Sequence, residues 1–225
     1  MLNSNFPSAI IFDLDGTLID SAPDLRLAIN QVFDSIGRRN LFLDEVVMLI
    51  GDGVPKFIER AFHATGTIAT KNQIEQTMKE FLWIYERNPI SLTTVFPGVF
   101  LMLESLQKKG VKLGICTNKP YEAAMEVLIK LGLKSFFQSV IGGDSLGDIR
   151  KPDPRHFFAA LDPLGIEKKF SLMIGDSKND IAVAKKAGVK SVAVSFGYSS
   201  TKFDELGADF CICHFDELIP TLENF

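Results

Sequence analysis

The feature that most constrains this chain is an apolar run that ends in two aspartates, within Ile10-Ile11-Phe12-Asp13-Leu14-Asp15-Gly16-Thr17-Leu18. The run has the length of a buried strand, and strands of a parallel sheet carry ligand-binding groups at their carboxyl ends. Because side chains alternate along a strand, we expect Asp13 and Asp15 on the same side of a cleft. Two carboxylates held together either repel each other or share a cation. The rest of the chain decides between these alternatives.

Length and charge limit the kinds of protein that this chain can be. With 225 residues and 46% hydrophobic residues, it can form one large domain or a core domain with a smaller insert. Its net charge of -4 argues against a nucleic-acid or membrane-surface partner. No apolar run is long enough to span a bilayer, and residues 1–7 lack the pattern of a signal peptide. We therefore expect a cytoplasmic protein, as a monomer or homodimer.

The three cysteines fit that compartment. Cys116 lies in a predicted buried strand, and Cys211 and Cys213 alternate along another. Because a zinc site usually needs four ligands, we expect the Cys-x-Cys pair to pack in the core rather than to bind a metal.

Helical periodicity without any strand pattern fills the region after the first strand. The segment Ser21-Ala22-Pro23-Asp24 is typical of a helix start, with Ser21 as the cap and Asp24 close to the first-turn amides. Apolar residues then recur at three-and-four spacing in three stripes, over residues 25–36, 54–62 and 74–85, the last ending at Asn88-Pro89. This region predicts a compact helical domain, residues 20–92.

From Thr94 onward, predicted strands and helices alternate. The strands are expected at residues 111–116, 139–142, 171–174, 191–194 and 210–212. Such alternation predicts right-handed crossovers and a parallel sheet with helices on both faces. The predicted fold class is therefore α/β, with a Rossmann-like parallel-sheet core formed by residues 1–19 and 93–225 and an all-helical domain inserted into it.

Polar residues collect after the carboxyl ends of these strands. They are Asp13 and Asp15 after the first strand, Thr117, Asn118 and Lys119 after the strand at 111–116, and Asp176, Ser177 and Asp180 after the strand at 171–174. Lys151 lies in Arg150-Lys151-Pro152-Asp153-Pro154, just before another helix. In a parallel sheet these ends share one edge, so the sequence predicts a cluster of carboxylates, a hydroxyl, an amide and a lysine there.

The chemistry of this set favours phosphoryl transfer. Hard oxygen ligands without His or Cys suit Mg²⁺ better than zinc. A lysine beside the cation implies an anionic substrate, and Thr117 with the amides after it, at a helix start, suits phosphate oxygens. One aspartate could then attack phosphorus while the other moves protons. The sequence thus predicts a magnesium-dependent enzyme with an aspartyl-phosphate intermediate.

Four motifs in order resemble those of the haloacid dehalogenase superfamily phosphatases. Asp13-Leu14-Asp15-Gly16-Thr17 resembles the D-x-D-x-T loop of that family, Thr117-Asn118 its second motif and Lys151 its third. Gly175-Asp176-Ser177-Lys178-Asn179-Asp180 resembles its G-D-x-x-x-D motif. The match covers nearly the whole chain.

The resemblance implies a role for each of these residues. Asp13 is expected as the nucleophile and Asp15 as general acid and then base. Lys151 is expected to be catalytic by binding phosphate, and the other phosphate binders are Gly16, Thr117 and Asn118. The expected Mg²⁺ ligands are Asp13, Asp15 (through its carbonyl) and Asp176. Asp180 is expected to orient the metal shell or Lys151 rather than to contact the metal, and Ser177 to support the same surroundings.

The helical insert matches the position of the small helical cap of this family, which closes over the site and excludes water. Ile50–Ala61 and Phe96-Pro97-Gly98-Val99 are most similar to bacterial phosphoglycolate phosphatases, which implies hydrolysis of 2-phosphoglycolate. A substrate carboxylate would need a cation from the cap, and Lys56 and Arg60, four residues apart on one helix, are the candidates. A merely solvated helix face is the alternative for both.

Other functions remain open. The substrate could be another small phosphorylated metabolite, namely a sugar phosphate, a nucleotide or a pyrophosphate. A phosphosugar mutase is less favoured because such relatives typically carry Val where this chain has Thr17. A dehalogenase is disfavoured because those relatives lack the second aspartate, here Asp15. A protein that binds phosphorylated metabolites without turnover is disfavoured by the intact motifs.

Overall fold

A parallel sheet forms the centre of the computed structural model, which describes residues 6–66, 68–87, 90–199, 201 and 205–223. The strands are β1 (Ala9–Phe12), β2 (Ile19–Asp20), β3 (Thr94–Val95), β4 (Lys112–Cys116), β5 (Ser139–Ile141), β6 (Ser171–Gly175), β7 (Lys190–Val194) and β8 (Phe210–Ile212). Six of them form the sheet in the order β5-β4-β1-β6-β7-β8, and each neighbouring pair is parallel. Strands β2 and β3 form a separate antiparallel pair.

The helices fall into two groups. They are α1 (Ala22–Ser35), α2 (Leu43–Val47), α3 (Val54–Ala64) and α4 (Lys71–Arg87) between β2 and β3, and α5 (Val99–Lys108), α6 (Tyr121–Lys130), α7 (Pro154–Leu161), α8 (Lys178–Ala187) and α9 (Leu218–Glu223) after β3. The first group is called the helical insert below. The predicted end of the third stripe at Asn88-Pro89 lies outside the described residues.

The second group of helices covers both faces of the sheet. Ile10 and Phe12 of β1 pack in a cluster with residues of α5, α6 and α9, whereas Ile11 packs with α7 and α8 on the other face. A strand that is covered on both sides needs apolar residues at every position, which explains the continuous apolar run at the start of the chain. The predicted α/β class with a parallel sheet is confirmed.

The helical insert has its own hydrophobic cluster. Leu25 and Phe33 of α1, Phe57 of α3, and Phe81 and Tyr85 of α4 are among its buried members. Helix α2 and the β2–β3 pair were not expected from the sequence, because elements of five and two residues are too short for a periodic pattern. The short β2–β3 ladder ties the two ends of the insert together beside the sheet.

The expected start of α1 is correct in position but not in its contacts. Ser21 makes no side-chain cap bond to the helix; its amide and that of Ala22 donate to the hydroxyl of Tyr198, at 2.7 and 3.0 Å. The Asp24 carboxylate does not serve the first-turn amides. It accepts bonds from the amides of Leu92 and Thr93 and from the Thr93 hydroxyl, at 2.7 to 3.0 Å, and so fastens α1 to the segment that leaves the insert.

The expectation for the cysteines is half correct. Cys116 is buried in β4, but Cys211 and Cys213 are exposed. Strand β8 is the last of the sheet, so only one side of it is paired, and it is Ile212 that faces the core. The core-packing interpretation of the Cys-x-Cys pair was wrong for that reason. Among the described residues, no helix is both long and apolar enough to cross a membrane.

Candidate active site

Strand β1 delivers the first aspartate to the point where the strand order reverses. The chain after β1 continues on one side of the sheet, at β4 and β5, and then crosses to β6 on the other side of β1. Clefts at such a switch point are where open α/β sheets bind ligands. The amide of Asp13 still donates to the carbonyl of Ile174, at 2.9 Å, so the position of Asp13 is fixed by the ladder itself.

A tight turn follows at Gly16. Its φ of +81° is a left-handed conformation that favours glycine, and a Cβ there would lie 2.6 Å from Oδ2 of Asp176. The Gly16 amide donates to the Ile19 carbonyl at 2.9 Å. The turn therefore brings the loop after β1 against the loop after β6, and the role of Gly16 in phosphate binding stays a prediction.

Lys151 links two buried carboxylates. Its Nζ lies 2.8 Å from Oδ1 of Asp13 and 2.6 Å from Oδ1 of Asp180, and its side chain is 1% exposed. Burial, with repulsion from Asp180, raises the pKa of Asp13 to about 7, and Lys151 offsets only part of that rise. Burial disfavours the charged form of Lys151, but Asp13 and Asp180 outweigh it and raise the pKa of the ammonium.

The loop after β6 and the first turn of α8 supply two further carboxylates. Asp176 accepts bonds from the Thr17 hydroxyl at 3.1 Å and from the Tyr198 amide at 2.7 Å. The second oxygen of Asp180 accepts from the amide and hydroxyl of Ser177, at 2.9 and 2.6 Å, as part of the capping box of α8. One oxygen of Asp180 thus accepts from Lys151, and the other accepts from Ser177.

Oxygens of Asp13, Asp176 and Asp180 lie within 4.8 Å of one another, and all three residues are buried. Burial, followed by repulsion from Asp180 and Asp13, raises the pKa of Asp176 well above its usual value. A hard divalent cation would relieve this repulsion, and a set of carboxylate oxygens suits it. Asp180 accepts one bond from the Lys151 ammonium and two from Ser177, whereas Asp176 accepts bonds from the neutral groups of Thr17 and Tyr198, so Asp176 is better placed to hold a cation together with Asp13.

Asp15 lies in different surroundings from Asp13. Its Oδ1 accepts from the Ser21 hydroxyl at 2.5 Å and from Nζ of Lys119 at 3.0 Å. Lys119 also donates to the hydroxyl of Tyr85 at 2.8 Å, and its ammonium lies 4.6 Å from the centre of the Tyr85 ring. The two aspartates that open the sequence pattern are therefore bound to two different lysines.

Thr117 and Asn118 follow β4 as expected. The Thr117 hydroxyl accepts from the Lys119 amide at 3.2 Å, and its own proton can be donated. The Asn118 side chain bridges two loops: it accepts from the Lys151 amide at 3.0 Å and donates to the carbonyls of Gly51 and Lys151, at 2.9 and 3.2 Å. Asn118 therefore positions Lys151, and a direct bond from Asn118 to phosphate stays a prediction.

The two expected cations of the insert lie apart. Lys56 pairs with Glu59 at 2.6 Å, and its side chain is 58% exposed. Arg60 pairs with Asp52, whose other oxygen accepts from Asn179 at 2.7 Å. The structure brings Arg60 to the edge of the cleft and does not bring Lys56 there.

The cleft between the sheet edge and the insert has two parts, which share Asp13 and Asp15. One, the apolar cavity, has about 580 Å³ of empty space, part of which is open to solvent. Its lining includes Leu25, Ile50, Val54, Phe57, Phe81 and Leu82 of the insert, together with Tyr85, Thr117 and Lys119. The other, the polar cavity, is lined by residues that include Asp52, Arg60, Asp176, Asn179 and Tyr198.

Lys119 was predicted only as a polar residue after β4, and Ser21, Tyr85 and Tyr198 were not predicted to be neighbours of the site. Lys119 directly follows Thr117-Asn118, and that position was the one available signal. Its partner Tyr85 lies 34 residues earlier, on a helix of the insert. No local pattern indicates that pairing.

The sequence profile of the haloacid dehalogenase-like hydrolases matches residues 10–194. The phosphoglycolate phosphatase of Rhodospirillum rubrum is 40% identical over 206 residues, which cover 90% of this chain and 85% of that protein. The phosphoglycolate phosphatase of Caulobacter vibrioides is 39% identical over 208 residues, which cover 92% of this chain and 87% of that protein.

A crystal structure of a predicted phosphoglycolate phosphatase from Haemophilus somnus superimposes with a TM-score of 0.90 at 29% identity, over 97% of this chain and 98% of that one. Family profile, relatives and structure agree over almost the entire length of the chain. This chain therefore belongs to the haloacid dehalogenase-like hydrolases, as a phosphatase, that is, a phosphoric monoester hydrolase.

Proposed function

We propose that this phosphatase is magnesium-dependent, works through an aspartyl phosphate on Asp13 and hydrolyses 2-phosphoglycolate to glycolate and phosphate. The observation that carries the proposal is the buried group of Asp13, Lys151 and Asp176 at the switch point of the sheet. It combines a nucleophile, a cation for phosphate oxygens and an oxygen-rich site for a metal.

The side chains of Asp13 and Asp176 and the carbonyl of Asp15 are the proposed ligands of Mg²⁺. When bound, the ion neutralises charge on the phosphoryl group and lets Asp13 and Asp176 stay ionised. Asp180 holds Lys151 in place through its Oδ1, and Ser177 holds the other oxygen of Asp180. Lys151 and the Thr117 hydroxyl bind the oxygens of the phosphoryl group.

In the first step, a carboxylate oxygen of Asp13 attacks phosphorus, and the bond from phosphorus to the ester oxygen breaks as that oxygen takes a proton from Asp15. In the second step, Asp15 takes a proton from a water molecule whose oxygen attacks the same phosphorus. The bond between phosphorus and Asp13 then breaks, which releases phosphate and restores both aspartates. Ser21 and Lys119 hold Asp15 in position for both transfers.

We further propose that residues 20–92 act as a cap domain over a core of residues 1–19 and 93–225. The loop between α2 and α3 supports this, because Asn118 and Asn179 both donate to the Gly51 carbonyl, at 2.9 and 3.2 Å. These bonds join the insert to two loops at the sheet edge. A cap in this position would exclude water from the bond that breaks.

The choice of 2-phosphoglycolate rests on the relatives, and a second candidate is another small phosphorylated metabolite on the same site. A panel of phosphate esters, assayed side by side with Mg²⁺, tests both. We expect the highest kcat/KM for 2-phosphoglycolate and little activity when Mg²⁺ is removed by a chelator. A sugar phosphate or nucleotide with a kcat/KM at least tenfold higher than that of 2-phosphoglycolate would overturn the substrate assignment. It would not contradict the proposed reaction type.

A further inference from the structure

Lys119 is a buried cation with no task in the phosphoryl chemistry beyond its contact with Asp15. Its side chain is 4% exposed, and Lys151 already serves the nucleophile and the phosphoryl oxygens. A buried ammonium is costly unless it is paired, and here the pairing is to one carboxylate and one hydroxyl. Two of its bonds, at 3.0 and 3.4 Å, go to the same carboxylate of Asp15.

The apolar walls around Lys119 limit the kinds of ligand that can bind there. Of the described residues that line the apolar cavity, Lys119 is the single cation, and the insert contributes mainly aliphatic and aromatic walls such as Leu25, Phe57 and Phe81. Such walls offer no partners for sugar hydroxyls, which would lose their hydrogen bonds to water on entry. The cavity therefore favours a short ligand with one anionic group.

The position of Lys119 next to Asp15 fixes where that anionic group lies. Asp15 is proposed to contact the ester oxygen, and Nζ of Lys119 is 3.0 Å from Oδ1 of Asp15. In a phosphorylated 2-hydroxy acid the carboxyl carbon is two bonds from the ester oxygen. The carboxylate of such a substrate can therefore reach Lys119 while its ester oxygen stays at Asp15. The hydroxyl of Tyr85 accepts from Lys119, so its own proton is available to a second carboxylate oxygen.

We propose that Lys119 and Tyr85 form a carboxylate subsite that selects phosphorylated 2-hydroxy acids. This inference rests on the proposed function, since it takes Asp13 and Asp15 as the reacting groups. The residue proposed to bind the substrate carboxylate is therefore Lys119, on the loop after β4, and not Lys56 or Arg60 of the insert. Lys56 is paired on the outer side of the insert, and Arg60 is held by Asp52 in the polar cavity.

The test compares two substrates that differ in the carboxylate: 2-phosphoglycolate and ethyl phosphate. Wild-type enzyme is assayed beside Lys119→Met, which keeps the length of the side chain, and Tyr85→Phe, which keeps the ring. Lys130→Met is the matched control, because Lys130 lies at the far end of α6 and pairs with Glu126 on the surface. The readout is the ratio of kcat/KM for the two substrates, and KM and kcat are reported separately.

We expect Lys119→Met to lower that ratio roughly 100-fold and Tyr85→Phe roughly 10-fold, since charged hydrogen bonds to a substrate are lost. Lys130→Met is expected to keep the wild-type ratio. A role of Lys119 in positioning Asp15 alone would lower kcat for both substrates equally; an unchanged ratio in Lys119→Met and Tyr85→Phe would therefore overturn the subsite.

Equilibrium binding separates failure of the subsite from failure of the proposed reaction. Binding of both esters is measured by calorimetry with Asp13→Asn, alone and combined with Lys119→Met or Tyr85→Phe. Weaker binding of 2-phosphoglycolate, with no matching loss for ethyl phosphate, supports the subsite even if Asp13 proves not to be the nucleophile. Equal losses for the two ligands contradict it, whatever the assays of turnover show.

Discussion

The sheet edge and the helical insert contribute to the same cleft in opposite ways. At the sheet edge, Lys151 pairs with Asp13 and Asp180, and Asp176 lies close to both of these carboxylates; all four side chains are buried. The insert faces them with the apolar side chains of α1, α3 and α4, and with Tyr85 as its polar contribution to the apolar cavity. We propose that the sheet edge carries the reaction and that the insert, together with Lys119 after β4, determines which esters reach it.

This division gives different expectations for substitutions on the two sides. A change in the group formed by Asp13, Lys151 and Asp176 should lower turnover of every substrate, because all esters share the phosphoryl group. A change at the insert should alter selectivity or stability and leave the chemical step in place. Substitutions on each side, together with the pH dependence of stabilisation by Mg²⁺, test that difference.

Asp13→Asn removes the nucleophile and is expected to lower kcat about 10⁴-fold or more for 2-phosphoglycolate and p-nitrophenyl phosphate alike. Asp34→Asn, at an exposed position near the end of α1, is the control and is expected to have wild-type kcat. Steady-state kinetics on both substrates gives the comparison. Full activity in Asp13→Asn would refute the assignment of the nucleophile.

Lys151→Met leaves Asp13 and Asp180 without their shared cation. We expect kcat to fall about 10³-fold for every substrate, and the free energy of unfolding to fall by about 3 kcal/mol because two buried carboxylates lose their partner. Urea unfolding and kinetics are measured on the same preparation, with Lys112→Met, whose lysine binds the Leu164 carbonyl, as control. A loss of activity restricted to acid-bearing substrates would contradict the division between the two sides.

Magnesium should stabilise the fold in a pH-dependent way. The pKa of Asp13 in the folded state is about 7, against an ordinary value of 3.8, so without metal the folded state holds its proton more tightly and loses stability as pH rises from about 4 to about 7. A cation binds the ionised form, so its effect should be small near pH 5 and reach about 2.7 kcal/mol near pH 8 when free Mg²⁺ is about 100 times its dissociation constant at that pH. Urea unfolding with and without Mg²⁺ measures this, and an equal effect at both pH values would contradict it.

Asp24→Ala tests how the insert is anchored. The substitution leaves the amides of Leu92 and Thr93 and the Thr93 hydroxyl without their acceptor, and we expect about 2 kcal/mol of destabilisation. The kcat should change less than about threefold, because Asp24 does not line the cleft. Asp44→Ala, at an exposed position of α2, is the control. A stable Asp24→Ala with lost turnover would place Asp24 in the reaction instead.

Asn179→Ala gives the smallest expected effect. It removes the bonds to the Gly51 carbonyl and to Asp52, at 3.2 and 2.7 Å, and weakens the contact between insert and sheet edge by about 1 kcal/mol. Hydrogen exchange of the amides of residues 51–53 should accelerate about fivefold, with no change in β1. Unchanged exchange would mean that Asn118 alone holds this loop.

The residues at the sheet edge could be predicted from the sequence because the signal for each lies within a few consecutive residues. A buried strand followed at once by polar residues places Asp13, Thr117 and Asp176 at one edge of a parallel sheet, and this prediction needs no knowledge of long-range contacts. The capping box between Ser177 and Asp180 follows from the same local spacing. Lys151 was identified through its proline-rich loop and its motif.

The insert side could not be predicted, because its contacts join residues far apart in the chain. Tyr198 binds the amide of Ser21, which lies 177 residues earlier, and the Asp24 carboxylate binds residues of the departing segment. The spacing of Lys56 and Arg60 puts them near each other on a helix but does not say which way that face points. In the structure Lys56 lines neither cavity. Among the described residues, the cation that faces the apolar cavity is Lys119, on the loop after β4, which donates to Tyr85.

Trapping the covalent intermediate tests the proposed role of Asp13 as nucleophile most directly. Enzyme with Mg²⁺ and 2-phosphoglycolate is quenched during turnover and treated with borohydride, which reduces an acyl phosphate to an alcohol, and the peptides are analysed by mass spectrometry. We expect the side chain at position 13 to be converted to homoserine only when both substrate and metal are present, and no conversion in Asp13→Asn. No conversion at position 13 during active turnover, or conversion at another aspartate, would contradict the account.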